Sequence, residues 1–418
     1  MNYYFILILF LFVPQLNAQE LARFVVLVDQ ERINAQVSVP LNGLNYNTDK
    51  LISVLYEITA EGEKEIPSQI ETGHSARLWF ILAGISEKNS SREFVLKREE
   101  NSSKLSKTSG IILKKDSKDL RLVFNEMPIL NYRYAITYPP KGIDTLYKRS
   151  GFIHPLWSPG GELLSRIQPP DHYHHYGIWG PWTKTHINKR EVDFWNLVKG
   201  QGTVKFAGFL SEVEGNIYSG FQVLQQHIDY GATGKDHIAM NEILDIRAWN
   251  INAEQKVWVI DYTSSLNSPL KDGIMLDAYR YGGGIGFRAT EKWHKGNCTV
   301  LTSDNKTRID ADGSFARWCI VEGQSGTKQG RSGILFLSHP SNRMHPEPMR
   351  VWPVNANGGR GDMYFEFVPI RHNDWKLEPK QNYTLKYRLI VFDGEMDAKT
   401  AEKYWNSFAT LPKVKFIK

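Results

Sequence analysis

Apolar and polar residues alternate in short runs along almost the whole chain, and this period of two limits the possible folds more than any other feature. Successive side chains of a strand point to opposite faces, so such alternation describes strands with one buried face. The β-rich runs Phe24–Val28, Leu51–Tyr56 and Leu78–Leu82 lie near the N-terminus, and Leu120–Phe124, Arg133–Tyr138, Lys256–Tyr262 and Tyr383–Val391 continue the pattern. Helical spacing occurs convincingly over Asp397–Phe408 alone, where Ala398, Ala401, Tyr404 and Trp405 recur. Strands without helices must cover each other, which predicts an all-β fold, a large antiparallel β-sandwich preceded by a small β domain. A chain of 418 residues exceeds one small core. The Ser-, Lys- and Glu-rich stretch Lys97–Thr108 reads as an exposed linker. This divides the chain into a small N-terminal sandwich at 19–105 and a large sandwich at 110–418.

The first eighteen residues hold an apolar stretch from Tyr3 to Val13 and end in Leu16-Asn17-Ala18, the pattern of a secretory signal cleaved after Ala18. No later run approaches the ~20 apolar residues of a membrane span. The expectation is an exported, periplasmic protein, or one released further. Two cysteines, Cys298 and Cys319, are too few for a disulfide scaffold. A net charge of +6 suits acidic ligands. The Lys and Arg residues are scattered and form no nucleic-acid-binding motif, so nucleic acid is not expected as a partner.

Four segments can carry chemistry. Asp171-His172-Tyr173-His174-His175-Tyr176-Gly177 places three histidines within four positions, followed by Trp179 and Trp182. Imidazoles titrate near pH ~6.5, so they can move protons or bind a metal. His172 and His174 project the same way if the chain is extended, with Asp171 or His345 available to complete a metal shell. Glu191-Val192-Asp193-Phe194-Trp195 sets two carboxylates beside a ring that can stack on sugar. Asp277 to Arg288 puts Gly282-Gly283-Gly284 among Tyr279, Arg280, Tyr281 and Arg288, where glycines allow close approach of a ligand or another strand and Arg matches a carboxylate bidentately. The irregular loop His339-Pro340-Ser341-Asn342-Arg343-Met344-His345-Pro346 adds Asn342, Arg343 and His345, with Trp352 beyond it.

In order, Phe152-Ile153-His154-Pro155-Leu156, Pro170-Asp171-His172-Tyr173-His174-His175-Tyr176-Gly177-Ile178-Trp179, Val192-Asp193-Phe194-Trp195 and His339 to Pro346 resemble the bacterial family labelled "methane oxygenase PmoA". The resemblance runs from about Leu21 to Gly394, and Tyr176 stands where that family more often has Arg. A membrane methane monooxygenase needs several spanning helices, which this chain lacks. The resemblance implies polysaccharide degradation, a sandwich similar to galactose mutarotase-like supersandwiches and, for some members, dehydration of terminal uronic acids on oligosaccharides such as those of ulvan.

The expected reaction is therefore loss of water across C4 and C5 of a non-reducing-end uronic acid in an acidic oligosaccharide. It requires a cation for the carboxylate, a base for the C5 proton and an acid for the departing hydroxyl. The expected catalytic residues are Arg288 or Arg280 for the carboxylate, His174 or His175 as base, and Tyr281 or His345 as acid. His172, Trp179, Asp193, Trp195, Arg280, Asn342 and Arg343 are expected to bind substrate. No cofactor is required, with a divalent metal at His172, His174 and His175 as the open alternative. A glycoside hydrolase using two of Asp171, Glu191 and Asp193, a non-catalytic sugar-binding protein, and a mutarotase or epimerase are the competing readings.

Overall fold

The computed structural model describes residues 19–44, 51–73, 75–100, 110–231, 237–251 and 256–417, so the expected signal segment lies outside the described residues. The fold is all-β, built of antiparallel sheets packed as sandwiches, with a single α-helix of ordinary length among the described residues. The N-terminal sandwich sets a five-stranded sheet against the three strands Arg32–Pro40, Arg77–Ser86 and Gln69–Glu71. Phe24, Val37, Phe80, Phe94 and Leu96 fill the space between them.

Two features depart from the expected partition. The segment Lys97–Glu100 is strand, the end of Ser90–Glu100, and the remainder of the supposed linker up to Thr108 is outside the described residues. The C-terminal strand Lys413–Ile417 does not belong to the large sandwich: it pairs with Gln19–Val28 and forms one edge of the N-terminal sheet. The run Arg133–Tyr138 also fails as a strand beyond Arg133, because the chain turns there and both Tyr134 and Ala135 direct their N–H groups to Lys118 O.

The large sandwich packs a nine-stranded sheet, running from Phe315–Ala316 at one edge to Ile111–Lys115 at the other, against an eight-stranded sheet. Leu122, Ile178, Phe287 and Phe365 from the first meet Val223, Ile246, Ile260 and Phe336 from the second. Each such fully buried side chain contributes ~1.5–3 kcal/mol. The outer face of the eight-stranded sheet is covered by the helix Ala398–Ala409, whose Ala401, Tyr404 and Phe408 pack on Trp318, Leu335 and Ile390. Asp397 caps that helix by accepting from Thr400 N at 2.6 Å. No helix among the described residues is long and apolar enough to cross a membrane.

The nine-stranded sheet positions the site. Its inward residues Ile153, Ile178, Val351 and Phe365 enter the main core, while their neighbours Phe152, Trp179, Trp352 and Tyr364 point to the other face. That face is roofed by loops, so its residues form a second aromatic cluster together with Tyr176, Trp195 and Leu197.

Candidate functional site

The histidine segment is a turn, not the extended chain expected of it. His172 N bonds to Pro169 O at 2.9 Å, His175 N to His172 O at 3.1 Å, and Gln168 N to His175 O at 2.8 Å. Curling the backbone brings all three imidazoles to one side: His172 lies 4.7 Å from His175 and 5.3 Å from His174, ring to ring. Gly177 closes the turn at φ +71°, where a Cβ would lie 2.4 Å from Ile153 O. Trp195 donates its indole N–H to His174 O at 2.8 Å, and Trp352 packs 4.9 Å from His172.

Tyr279, Arg280 and Tyr281 line the same cleft as the histidines. The glycines after them are needed for packing, since a Cβ on Gly283 would lie 2.0 Å from Trp182 and one on Gly284 2.1 Å from Phe367 O. The close approach is therefore made by the protein's own core. Buried Glu366 accepts from Gly282 N and from Tyr364 Oη, both at 2.7 Å, which ties the loop to the sheet. The Tyr281 oxygen accepts from Arg350 Nη2 at 3.0 Å and from Trp352 Nε1 at 3.1 Å. Both acceptor positions are filled, so its own hydrogen is left to point elsewhere. Arg280 is exposed, its guanidinium has no ion-pair partner among the described residues, and its carbonyl is held by Arg371 at 3.1 Å.

This cleft of about 230 Å³ is completed by Thr183, Trp195, Asn196 and Trp352. Among the described residues, no Asp or Glu lines it. Behind the histidines lies a charge network. His172 Nδ1 pairs with Asp171 at 2.8 Å, and Asp171 is held by Arg288 at 2.7 Å and Arg166 at 3.0 Å. Burial works to raise the Asp171 pKa, but the hydrogen bond from His172 and the Arg288 charge outweigh it and hold the carboxyl well below its usual range. Burial, then the adjacent His172, pushes His174 down to about 4, and burial pushes His175 well below the ordinary imidazole value. Both are neutral near pH 7. The three histidines are also the group of side chains suited to hold a metal, one nitrogen from each lying within 4.8 Å of the others. A second cleft, of about 250 Å³, lies beside Trp79 and Trp249, but its Arg247 is paired with Glu71 and Asp245 and its Arg388 with Asp261.

The profile of a family of unknown function (DUF6807) matches residues 119–406, more than half of the chain. The chain belongs to that family. In this DUF6807 member the match covers most of the helix and all of the large sandwich except its edge strand Ile111–Lys115, and it begins after the N-terminal sandwich. No curated protein matches the chain. Among solved structures, a TPR-domain containing protein from Parabacteroides distasonis ATCC 8503 is similar at 11% identity and a TM-score of 0.22, over 91% of this chain. The chain spans 57% of that protein's length, and likeness at this level carries no argument.

Of the residues expected in the site, the DUF6807 fold brings His172, His174, His175, Trp195, Arg280 and Tyr281 together around one cleft. The others are elsewhere. Arg288 is fully buried and bound to Asp171 and Asp362, so it supports the histidine turn and cannot meet a carboxylate. Asp193 is buried and accepts from Trp195 N, Asn196 N and Thr183 Oγ1, with Lys199 at 2.9 Å. It shapes the turn that presents Trp195, and Glu191 also faces Lys199, not a sugar. Trp179 is core beneath the site. Asn342 is locked to Glu347 and to both backbone groups of Lys386, Arg343 covers Trp375, and His345 stacks on Trp405 of the C-terminal helix. The loop 339–346 thus packs the helix side of the molecule and does not complete a metal shell.

Sequence reasoning missed Arg350 as a partner of Tyr281. Its signal is visible afterwards: Arg350 is a cation buried in the run Pro348–Trp352, two positions before Trp352 on the same face, and it reaches both Asp312 and Tyr281.

Proposed function

We propose that the protein is a carbohydrate-active hydro-lyase that removes water across C4 and C5 of a non-reducing-end uronic acid on an oligosaccharide. The observation that carries this reading is the composition of the cleft: a free guanidinium, a phenol with its proton available and a wall of imidazoles, with no carboxylate lining it among the described residues. Arg280 pairs with the sugar carboxylate and stabilises the charge that develops as C5 loses its proton. Tyr281 donates its proton to the departing C4 hydroxyl, and the Arg350 and Trp352 hydrogen bonds stabilise the oxygen as that proton leaves. The histidine wall takes the C5 proton. Trp195 and Trp352 flank the ring.

A glycosidase needs two carboxyl groups ~5–9.5 Å apart across the bond it cleaves. Asp171, Glu191 and Asp193 are instead bound to Arg166 and Arg288 or to Lys199. The test is incubation of the protein with saturated uronate-ended oligosaccharides, followed by absorbance of the new conjugated double bond and by product mass. Loss of one water per chain end supports the reading. An unchanged mass, or a cleaved glycosidic bond, sinks it.

A further inference from the structure

We propose that His172, His174 and His175 form a divalent metal site, with zinc the ion best matched to its donors. The site rests on geometry alone, whereas the role given to it below rests on the hydro-lyase reading.

Three nitrogens, one from each ring, lie within 4.8 Å of one another. A tetrahedral zinc with Zn–N of ~2.0–2.1 Å needs them ~3.3 Å apart. That closure is within reach of side-chain rotation on a single turn. No hydrogen bond joins any two of the rings, although they pack at 4.7–5.3 Å. His175 is wholly buried among Trp179, Trp195, Trp352 and Tyr364, and its Nδ1 has no hydrogen-bond partner. A buried imidazole nitrogen without a partner, such as His175 Nδ1, is costly, and a cation removes that cost. His172 carries a further mark of a metal ligand: its Nδ1 is held by Asp171 at 2.8 Å, which leaves Nε2 as the free lone pair and fixes the ring orientation. Asp171 is itself anchored by Arg166 and Arg288. The cleft in front of the rings provides the open coordination position of a catalytic site, facing Arg280 and Tyr281.

With the ion bound, the imidazoles hold it rather than act as base, and a hydroxide on it takes their place in accepting the C5 proton and becomes water. The C5–H electron pair forms the C4=C5 bond, and the C4 hydroxyl leaves with the Tyr281 proton as a second water. The ion-bound water then returns a proton to Tyr281 and restores the hydroxide. One substrate molecule gives one unsaturated product and one water, with no oxidant or reductant.

The test uses the full chain stripped with chelator, then titrated with zinc chloride by calorimetry and with cobalt(II) chloride by visible absorption. One ion per chain and the intense bands of four-coordinate cobalt are expected. Affinity is expected to fall at least 100-fold in His172→Gln and His174→Gln and ~10–100-fold in Asp171→Asn. It is expected to stay unchanged in His186→Gln, whose ring pairs with Asp277 away from the cleft. Circular dichroism identifies the variants that remain folded, and the wild-type cobalt spectrum tests the site even where a variant does not. Absence of stoichiometric binding to the wild type, or full affinity in folded His172→Gln and His174→Gln, overturns the site. Dehydration that persists in the metal-free protein overturns its catalytic role but not the hydro-lyase reading. Bound zinc without water loss from substrate overturns that reading and leaves the site standing.

Discussion

Tyr281 and Arg280 are adjacent in sequence and meet the cleft in different ways, which separates their kinetic signatures. The Tyr281 oxygen is held by two donors and its hydrogen is free. Tyr281→Phe keeps the ring and removes the acid, so kcat is expected to fall ~10²–10⁴-fold with KM little changed. Arg280→Leu removes a charge-assisted contact of ~1.5–3 kcal/mol, so KM for a uronate-ended substrate is expected to rise ~10–100-fold. Steady-state assays on the two variants check both, and a Tyr281→Phe enzyme of normal kcat removes Tyr281 from the chemistry. Glu347 makes a separate prediction about stability. Burial pushes its carboxyl up to about 7, against hydrogen bonds from Tyr387, Ser338 and Asn342 that pull it down. Because the folded state holds this proton more tightly than the unfolded chain does, the contribution is complete below about 4.5 and is lost as pH rises through about 7. At ~1.4 kcal/mol per pKa unit, the loss between about 4.5 and about 7 is ~3–4 kcal/mol. Urea midpoints at pH 5 and pH 8 are expected to differ less in Glu347→Gln than in wild type, and an equal difference refutes the assignment. His174 and Tyr281, both expected at one site, line the same cleft, and each stands in a stretch dense in residues able to carry chemistry. Arg288 and Asp193 were misread because sequence shows that a charge is present and not whether the protein neutralises it internally.

At the scale of elements, the strands and the helix were the most legible part. Their alternation and their spacing are local properties, set by which face each side chain takes. What holds the end of the helix was not legible. Its last carbonyls, Asn406 O and Thr410 O, accept from Arg32, a fully buried residue at the start of a strand far away in sequence. Arg32 also pairs with Asp29 at 2.6 Å. A cation at a helix C-terminus satisfies the unpaired carbonyls and opposes the helix dipole. Arg32→Ala is therefore expected to cost ~2–4 kcal/mol and to open the last turn to protease, measured by urea midpoint and by mass of the first cleavage products. Unaltered cleavage kinetics refute the capping role. The histidine turn shows the same limit. An extended chain was expected to turn His172 and His174 the same way, whereas the segment is a turn that gathers all three rings and sets Asp171 against His172.

For the whole molecule, a late strand returns to the first one of the N-terminal sheet. The strand Lys413–Ile417 completes the N-terminal sheet, and Phe416 lies 5.9 Å from Phe24. Truncation from Lys413 onward exposes the edge of the strand Gln19–Val28, an unpaired row of backbone donors and acceptors. Size-exclusion chromatography is expected to show self-association of the truncated chain, and a wholly monomeric product refutes the edge argument. The all-β class and the gathering of histidines in one segment followed from sequence alone. They depend on periodicity and composition, which act over a few residues. Tertiary structure decided that the loop 339–346 packs on the helix side, that Arg350 and Trp352 meet Tyr281, and that no carboxylate among the described residues lines the cleft. Those facts depend on which strands become neighbours in the nine-stranded sheet, where residues more than a hundred positions apart share one face, and no local pattern encodes that pairing.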